Sequence, residues 1–230
     1  MSKRWLYKDI PAASDVASLS KSININPHLS TVLLQRGIAD FESAKKFFRP
    51  SHDQLHDPFL MKDMDKAVER LKNAIDKNEK ILVYGDYDVD GTTSVSLVYS
   101  YLKSFYVNCD FYIPDRYSEG YGVSEAGIIW AEENEFTLII ALDLGVKASD
   151  MVKLANHKGI DFVICDHHMP GDSIPNAVAV LDPKRKDCNY PFKELSGCGI
   201  GFKLLQAFAR KYRAEEEIYE YIDLVAVSIA

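Results

Sequence analysis

From residue 80 onward, short apolar segments alternate with longer amphipathic ones. The short segments are rich in β-branched residues, which is typical of strands buried on both faces. The longer segments repeat their apolar positions at helical spacing. Strands are therefore predicted at 80–84, 110–113, 137–142, 162–165 and 177–181, and helices at 92–104, 124–134 and 148–157. This alternation predicts an α/β fold with a five-stranded parallel sheet flanked by helices.

The first part of the chain has a different pattern, in which short amphipathic helices are joined by polar loops. Helices are predicted at 30–36, 40–48 and 65–78, with Asp40 as the N-cap of the second. We therefore expect two parts, a small helical segment at 1–70 and the α/β domain at 71–230. The helical segment is expected to be a packing appendage without chemistry of its own.

The composition, 47% hydrophobic and 27% charged in 230 residues, is ordinary for a soluble globular protein. The net charge of −7 argues against a generally basic protein that coats nucleic acid, although it permits a local basic groove. The four cysteines form no C-x-x-C pair, and Met1–Trp5 lacks the apolar core of a signal peptide. No apolar run approaches membrane-spanning length. A reduced, cytoplasmic setting without membrane association is predicted.

The turn between the first predicted strand and the helix after it carries the aspartates Asp86, Asp88 and Asp90, followed by Gly91. Carboxylates this close repel one another unless a cation neutralises them, so a metal site is the natural interpretation. Thr92 or Thr93 is placed to cap the helix that follows.

The same acidic turn matches two other motifs in part. The spacing fits the first half of an EF-hand calcium loop, but the twelfth position is Leu97 instead of Glu, and the motif follows a strand. The segment 88–92 also resembles the nucleophile loop of haloacid-dehalogenase-type phosphatases, in which the strand runs directly into the first Asp. A solvated acidic turn would not explain the apolar segments that flank it so tightly.

Further polar side chains follow the third and fourth predicted strands. Asp143 ends the third, and Asp166, His167 and His168 end the fourth. Ligands of open parallel sheets bind beyond the carboxyl ends of the strands, at the switch point in strand order. One Asp at a strand end is usually a cap, and an isolated His pair is usually on the surface. Three such ends in one sheet instead predict a shared metal centre.

With these motifs the chain resembles the DHH phosphoesterase superfamily, and within it the RecJ-type single-strand-specific exonucleases. The central matches are Gly85-Asp86-Tyr87-Asp88-Val89-Asp90-Gly91, Asp143-Leu144-Gly145 and Asp166-His167-His168. Further matches lie at 36–38, 55–59, 113–116, 119–122, 190–192, 195–199 and 202–204. The resemblance implies the strand order 2-1-3-4-5, with the first and third strands at the switch point.

Two departures from the family pattern affect the expected site. The first motif of the family often begins with His, where this chain has Tyr84, so one ligand is missing or is supplied by Asp86. The family's final ligand is an Asp that follows a segment resembling 223–230, and the sequence stops at Ala230. We therefore expect an N-terminal piece of a longer protein, with an incomplete site and low or no activity.

The resemblance implies a centre of two Mn²⁺ or Mg²⁺ ions, with Mn²⁺ favoured by an imidazole ligand. Asp143 would bridge the ions, Asp88 and Asp90 would hold one each, and His167 would complete the second. Asp166 is expected to orient an imidazole. His168 is a candidate donor to a phosphate oxygen or leaving group, and a structural hydrogen bond is its alternative role.

Substrate phosphates require cations, and residues 182–213 hold eight Lys or Arg against three Asp or Glu. This segment is predicted to form a basic wall beside the acidic site. The candidate substrate contacts are Arg116, Lys184, Lys203, and the backbone N–H groups of Gly197 and Gly199 at a helix start. For Arg210, Lys211 and Arg213 a solvated helix face is the preferred interpretation.

The function that the resemblance implies is metal-dependent 5′-to-3′ hydrolysis of single-stranded DNA in repair and recombination. Single-stranded DNA is the expected partner, along with other DNA-repair proteins. The alternatives are a small-molecule phosphodiesterase or pyrophosphatase of the same superfamily, and a catalytically silent DNA-binding scaffold. Weak Mn²⁺ binding and weak, strongly salt-dependent DNA binding are expected.

Overall fold

The computed structural model describes residues 4, 6 and 8–230, which divide into two compact units, Met1–Leu55 and His56–Ala230. Apart from Arg4, the start Met1–Trp5 that lacks a signal-peptide core lies outside the described residues. Within those residues no helix combines the length and the apolar character needed to cross a bilayer.

The described part of the first unit is helical, as predicted. Its helices are α1 (Ala13–Ile23), α2 (Pro27–Leu34) and α3 (Phe41–Phe48), followed by a short 3-10 helix, His52–Gln54. Asp40 caps α3 in a reciprocal pair with Ser43, since each side chain accepts the backbone N–H of the other. α2 begins earlier than predicted because Asn26 caps it, and α1 was not predicted.

A parallel sheet is the centre of the second unit. In the part of the chain that is described, its strands are β1 (Lys80–Gly85), β2 (Cys109–Tyr112), β3 (Phe136–Leu142), β4 (Asp161–Cys165) and β5 (Ala179–Leu181). Their order, β2-β1-β3-β4-β5, confirms the expected topology. The direction of strand order reverses between β1 and β3, so the loops that leave these strands open a crevice at their carboxyl ends.

Helices cover both faces of this sheet. They are α4 (Met64–Asp76), α5 (Val89–Lys103), α6 (Glu125–Glu133), α7 (Ser149–His157), α8 (Gly197–Tyr212) and α9 (Ile222–Ile229), with 3-10 segments Pro58–Leu60 and Glu215–Tyr221. One face packs against α6 and α7 around a cluster that includes Leu82, Ile139 and Ile164. On α8 every residue from Gly197 to Ala209 is buried, so this helix forms the core of the other face.

The boundary between the two units falls between Leu55 and His56, earlier in the sequence than the boundary expected near residue 70. That position lies inside α4, which contacts both β5 and α8 of the second unit. Asp63, just before α4, also forms an ion pair of 2.6 Å with Arg185, which follows β5. The helix therefore belongs to the sheet-containing unit, His56–Ala230.

Lys203 lies inside α8, where its side chain is buried. Its Nζ donates to the carbonyl oxygen of His56 and to Oε1 of Gln206, both at 2.8 Å. Burial lowers the pKa of the ammonium to about 8. The predicted phosphate contact therefore has no support in this geometry, because the charged group points into the protein and is already hydrogen-bonded.

We expect the substitution Lys203→Met to remove a pH dependence of stability. In the native protein the lowered pKa means that the unfolded chain binds more protons between pH about 8 and 10.5, so stability due to this group rises across that window. The wild type should gain up to ~3 kcal/mol relative to Lys203→Met across it. Urea unfolding at a series of pH values measures this difference. The control Lys211→Met, on the same helix but partly exposed, should follow the wild type, and a Lys203→Met curve parallel to the wild type would contradict the prediction.

Candidate metal centre

The candidate carboxylates lie side by side because of the register of the sheet. Gly85 of β1 pairs with Leu142 of β3, and Leu142 pairs with Cys165 of β4. The residue that follows each of these is an aspartate: Asp86, Asp143 and Asp166. All three are buried, each at 1% exposure. The sheet therefore delivers three carboxylates from distant parts of the sequence to one edge.

Asp143 is the central member of this group. Its backbone is left-handed, with φ of 60°, which is uncommon for a residue other than glycine. Oδ1 of Asp143 lies 3.0 Å from Nε2 of His167, yet no described residue gives it a hydrogen bond of acceptable geometry. Burial raises the pKa of this carboxyl to about 6, and the nearby charges of Asp90 and Asp88 act in the same direction.

Two sets of possible metal-ligand atoms share Asp143. One set is Asp86, Asp88 and Asp143, and the other is Asp143, His167 and His168; within each set the ligand atoms lie within 4.8 Å of one another. Carboxylate oxygens with imidazole nitrogens suit Mn²⁺ and Mg²⁺. The buried Oδ1 of Asp143, which lies near His167 but has no hydrogen bond of acceptable geometry, is the feature that a cation would satisfy. The residues present therefore fit divalent ions.

The turn that carries Asp86 and Asp88 differs from the prediction in one respect. Asp88 is itself the N-cap of α5, with its Oδ1 accepting the N–H of Gly91 at 2.9 Å, so the helix begins at Val89 instead of at Thr92. The hydroxyls of Thr92 and Thr93 bond back to carbonyl oxygens of the preceding turn and cap nothing. The predicted threonine cap is wrong because the helix starts inside the acidic motif.

Asp90, a predicted metal ligand, also accepts two backbone hydrogen bonds from the start of α8. Its Oδ2 accepts the N–H of Gly197 at 2.7 Å and its Oδ1 accepts the N–H of Cys198 at 2.8 Å. The positive end of the α8 dipole stabilises this carboxylate. Nε2 of His167 lies 3.6 Å away, and Asp90 belongs to neither set of ligand atoms among the described residues. These hydrogen bonds dock α8 against the acidic turn, and the role of Asp90 as a metal ligand stays a prediction because its oxygens keep further lone pairs.

The N-terminus of α8 therefore binds the carboxylate of Asp90, an anion from within the protein. A Cβ added at Gly197 would lie 2.6 Å from Cβ of Asp143, so only glycine allows this approach. The N–H of Gly199 donates to Oγ of Ser196 at 3.0 Å. The predicted phosphate contacts of Gly197 and Gly199 are not supported, since both N–H groups are already bonded within the protein.

The Asp166-His167-His168 segment is fixed by the Asp166 carboxylate. Its Oδ1 accepts the N–H groups of His167 and His168 and lies 2.7 Å from Nδ1 of His168, while Oδ2 accepts the N–H of Val146 at 2.9 Å. Burial acts to raise the pKa of Asp166, but the hydrogen bonds outweigh it and hold the pKa below its usual range. The hydrogen bond between Asp166 and Nδ1 of His168 raises the pKa of that imidazole. The imidazole that Asp166 contacts is thus that of His168, and that of His167 faces Asp143.

Aromatic residues near the site had no specific role in the sequence interpretation. The guanidinium of Arg116 lies 5.3 Å from the ring centre of Tyr87, and Tyr121 contacts Tyr87 edge to face. The hydroxyl of Tyr121 is 3.3 Å from Nε2 of His168. The only sequence signal for Tyr121 was its place in the motif Glu119-Gly120-Tyr121-Gly122. The structure brings Arg116 to the same edge as the acidic cluster.

Tyr84, which stands where the family often has His, faces away from metal coordination. Its hydroxyl accepts the N–H of Ser124 at 3.1 Å, and its ring stacks on that of Tyr112. Glu119 joins this network by accepting the hydroxyls of Tyr112 and Ser124 and the N–H of Asp115. Tyr84 therefore anchors the loop that carries Arg116 and Tyr121.

The basic wall predicted for residues 182–213 is mostly neutralised within the second unit. The ion pairs are Arg185 with Asp63 and Asp187, Arg210 with Asp57 and Glu215, Arg213 with Glu217, and Lys184 with Glu194. Lys203 is buried in α8. Lys184, a predicted substrate contact, is half-buried with its Nζ 3.4 Å from Glu194. A local excess of Lys and Arg in the sequence does not show which acidic residues form ion pairs with them.

The family of the chain follows from residues 80–229, which match the DHH family, N-terminal domain. The chain belongs to the DHH family. This match spans the sheet and the helices that flank it, including the three strand ends described above.

Curated relatives of this DHH chain are longer proteins. It is 43% identical over 204 residues to the single-stranded-DNA-specific exonuclease RecJ of Bacillus subtilis (strain 168), covering 89% of this chain and 26% of the relative. It is 36% identical over 175 residues to the protein of the same name from Escherichia coli (strain K12), covering 71% of this chain and 30% of the relative. The chain thus spans about a quarter to a third of these relatives.

Solved structures support the same family. A crystal structure of exonuclease RecJ bound to manganese aligns with a TM-score of 0.66 at 28% identity, covering 73% of this chain and 42% of that one. The structure of RecJ in complex with Mn²⁺ from Thermus thermophilus aligns with a TM-score of 0.75 at 22% identity, covering 95% of this chain and 30% of that one. The second likeness bears on the fold alone.

We expect Asp143→Asn to stabilise the metal-free DHH chain while removing its response to Mn²⁺. The variant deletes a buried charge that nearby carboxylates oppose, and Asn tolerates the left-handed backbone. At pH 7.5 the metal-free protein should gain on the order of 1–3 kcal/mol. Thermal unfolding with and without Mn²⁺ measures both effects. A Mn²⁺-induced rise in Tm equal to that of the wild type would contradict the assignment of Asp143.

We expect Gly197→Ala to be destabilising, because its Cβ would overlap Asp143. The cost should be about 1–3 kcal/mol, as for other overpacked sites, with weakened Mn²⁺ binding. The matched control is Gly199→Ala in the same helical turn, where the added Cβ would be 3.3 Å from a leucine side-chain atom. Gly199→Ala should be neutral or slightly stabilising. Equal stabilities of the two variants in urea unfolding would refute the close-approach argument.

Proposed function

We propose that this chain carries the metal-dependent phosphodiesterase centre of an exonuclease that acts on single-stranded DNA. The observation that carries the proposal is the position of Asp143, which is shared between two sets of ligand atoms and holds a buried oxygen without a hydrogen-bond partner. Two bound ions with a shared ligand is the arrangement used for in-line displacement at phosphorus.

Asp86, Asp88, Asp143 and His167 are the residues that would hold Mn²⁺ or Mg²⁺. When bound, such ions supply Lewis acidity and lower the pKa of a water molecule. The chain needs no amino-acid nucleophile for this chemistry. Asp90 contributes indirectly, because it fixes the start of α8 against Asp143. Its Oδ2 also lies 3.6 Å from Nε2 of His167.

His168 is the group that we assign to the substrate. Its Nδ1 is held 2.7 Å from Asp166, which leaves Nε2 beside the Tyr121 hydroxyl and able to contact a phosphate oxygen or a leaving oxygen. Arg116, on the same edge, carries a fixed positive charge suited to a second phosphate oxygen. Asp166 acts as a positioning residue because both of its oxygens are occupied by this segment and by Val146.

Single-stranded DNA is proposed as the substrate because the curated relatives are named for that specificity. Cleavage from the 5′ end, a role in repair and recombination, and contacts with other DNA-repair proteins belong to the same proposal. A cytoplasmic setting is inferred from the cysteines, all four of which are free and buried.

The test is single-turnover cleavage of a 5′-labelled oligonucleotide with the protein in excess, so that a slow reaction is measured. We expect Mn²⁺-dependent hydrolysis whose rate falls by ~100-fold or more in Asp143→Asn and in His167→Ala. Loss of a residue that only supports a metal ligand already lowers activity by up to about 100-fold, so loss of a ligand should lower it at least as much. The matched control His157→Gln changes an exposed imidazole on α7 and should retain the wild-type rate.

The alternatives give different results in the same assay. A small-molecule enzyme would hydrolyse a dinucleotide or pyrophosphate faster than the oligonucleotide. A silent scaffold would bind the oligonucleotide without any Mn²⁺-dependent cleavage. Either result would contradict the proposal, as would cleavage that survives Asp143→Asn unchanged.

A further inference from the structure

A cleft of about 260 Å³ lies beside the candidate centre, and Asp166 and His168 are among its lining residues. Its walls come from the segment that follows β3 and from the loop before α6. Its lining residues include Tyr121, Val123, Val146, Lys147, Met151 and His168. None of these except His168 was assigned a role by the sequence interpretation, and the proposed chemistry uses only His168.

The cleft is small and partly lined by core residues. Leu144 and Asp166 are among its lining residues and are buried at 2% and 1% exposure. Its volume lies just below the range of about 300–1,000 Å³ typical of small-molecule sites. The space therefore suits one nucleoside at the end of a strand.

The walls of the cleft are mainly apolar, with one aromatic ring at the mouth. Val123, Val146 and Met151 supply the apolar surface, and Tyr121 is more than half exposed beside them. Bases stack on such side chains without regard to sequence, since every base has a π-face. Glu119 and Tyr84 hold the ends of the loop that carries Tyr121, whose ring contacts Tyr87 and whose hydroxyl lies 3.3 Å from His168.

Lys147 gives the cleft a positive charge next to the reacting edge. It is exposed and lines the same cleft as His168. Among the described residues no carboxylate forms an ion pair with Lys147, in contrast to Lys184 and Arg185. Its ammonium is therefore available to an anionic ligand.

We propose that this cleft binds the terminal nucleoside of the substrate strand, with Lys147 beside its phosphate. The inference rests on the proposed function and extends it, because the small volume of the cleft suits a single nucleoside and its apolar walls account for tolerance of any base. The base lies against Val146, Met151 and the Tyr121 ring. His168, which also lines the cleft, then faces the phosphate that joins this nucleoside to the next.

The test compares ligands that differ by one group. Binding to the Mn²⁺-loaded protein is measured by calorimetry for dTMP, dAMP, deoxyribose 5-phosphate and inorganic phosphate. Both nucleotides should bind about tenfold or more tightly than the sugar phosphate, since each stacked base contributes measurably to affinity. Met151→Ala and Val123→Trp, which empty and fill the cleft, should remove that difference while leaving phosphate binding unchanged.

Lys147→Gln should weaken binding of all four ligands by about tenfold, and the control Lys153→Gln, exposed on α7, should not. Thermal unfolding shows whether each variant is folded. Equal affinities of nucleotides and sugar phosphate, or unchanged binding in both cleft variants, would overturn the inference.

These experiments distinguish a failure of the cleft assignment from a failure of the proposed function. If cleavage depends on Asp143 while the cleft variants bind nucleotides normally, the hydrolase proposal stands and the cleft assignment fails. If nucleotides bind as described but no oligonucleotide is cleaved, the cleft assignment stands and the hydrolase proposal fails.

Discussion

The contact on which the site depends is between Asp90 and the start of α8. One carboxylate satisfies two backbone N–H groups that would otherwise have no intrahelical partner, those of Gly197 and Cys198. The bond joins parts of the chain that are 107 residues apart. It brings Gly197 against Asp143, so the central helix of one face of the sheet also closes the wall of the metal centre. Because α8 is buried along most of its length, the site is held as firmly as the core is.

This arrangement costs stability in the absence of a cation. Three buried aspartates follow adjacent strands, and Asp143 combines a left-handed backbone with a buried oxygen that has no hydrogen bond of acceptable geometry. The hydrophobic sheet and its flanking helices have to compensate for this charge. Such local strain is expected at functional sites, where a bound ligand completes the interactions that the fold leaves open.

The sheet and the positions of its strand-end carboxylates could be predicted, because they depend on local patterns and on the register of parallel strands. Asp86, Asp143 and Asp166 each follow a strand that the apolar pattern reveals, and strand pairing aligns them. The partners of Asp90, Lys203 and Arg185 could not be predicted. Each is satisfied by groups distant in sequence, and a count of charges along the chain contains no information about those partners.

The two histidines show how a three-residue motif serves two different purposes. Asp166 accepts the N–H groups of both His167 and His168, which fixes the backbone at the end of β4. The imidazole of His167 then lies 3.0 Å from Asp143, within the candidate metal centre. The imidazole of His168 is bound to Asp166 through Nδ1 and presents Nε2 to Tyr121 and the cleft. A buried carboxylate at the first position therefore allows adjacent imidazoles to face Asp143 on one side and Tyr121 on the other, which are the proposed cation and substrate sides.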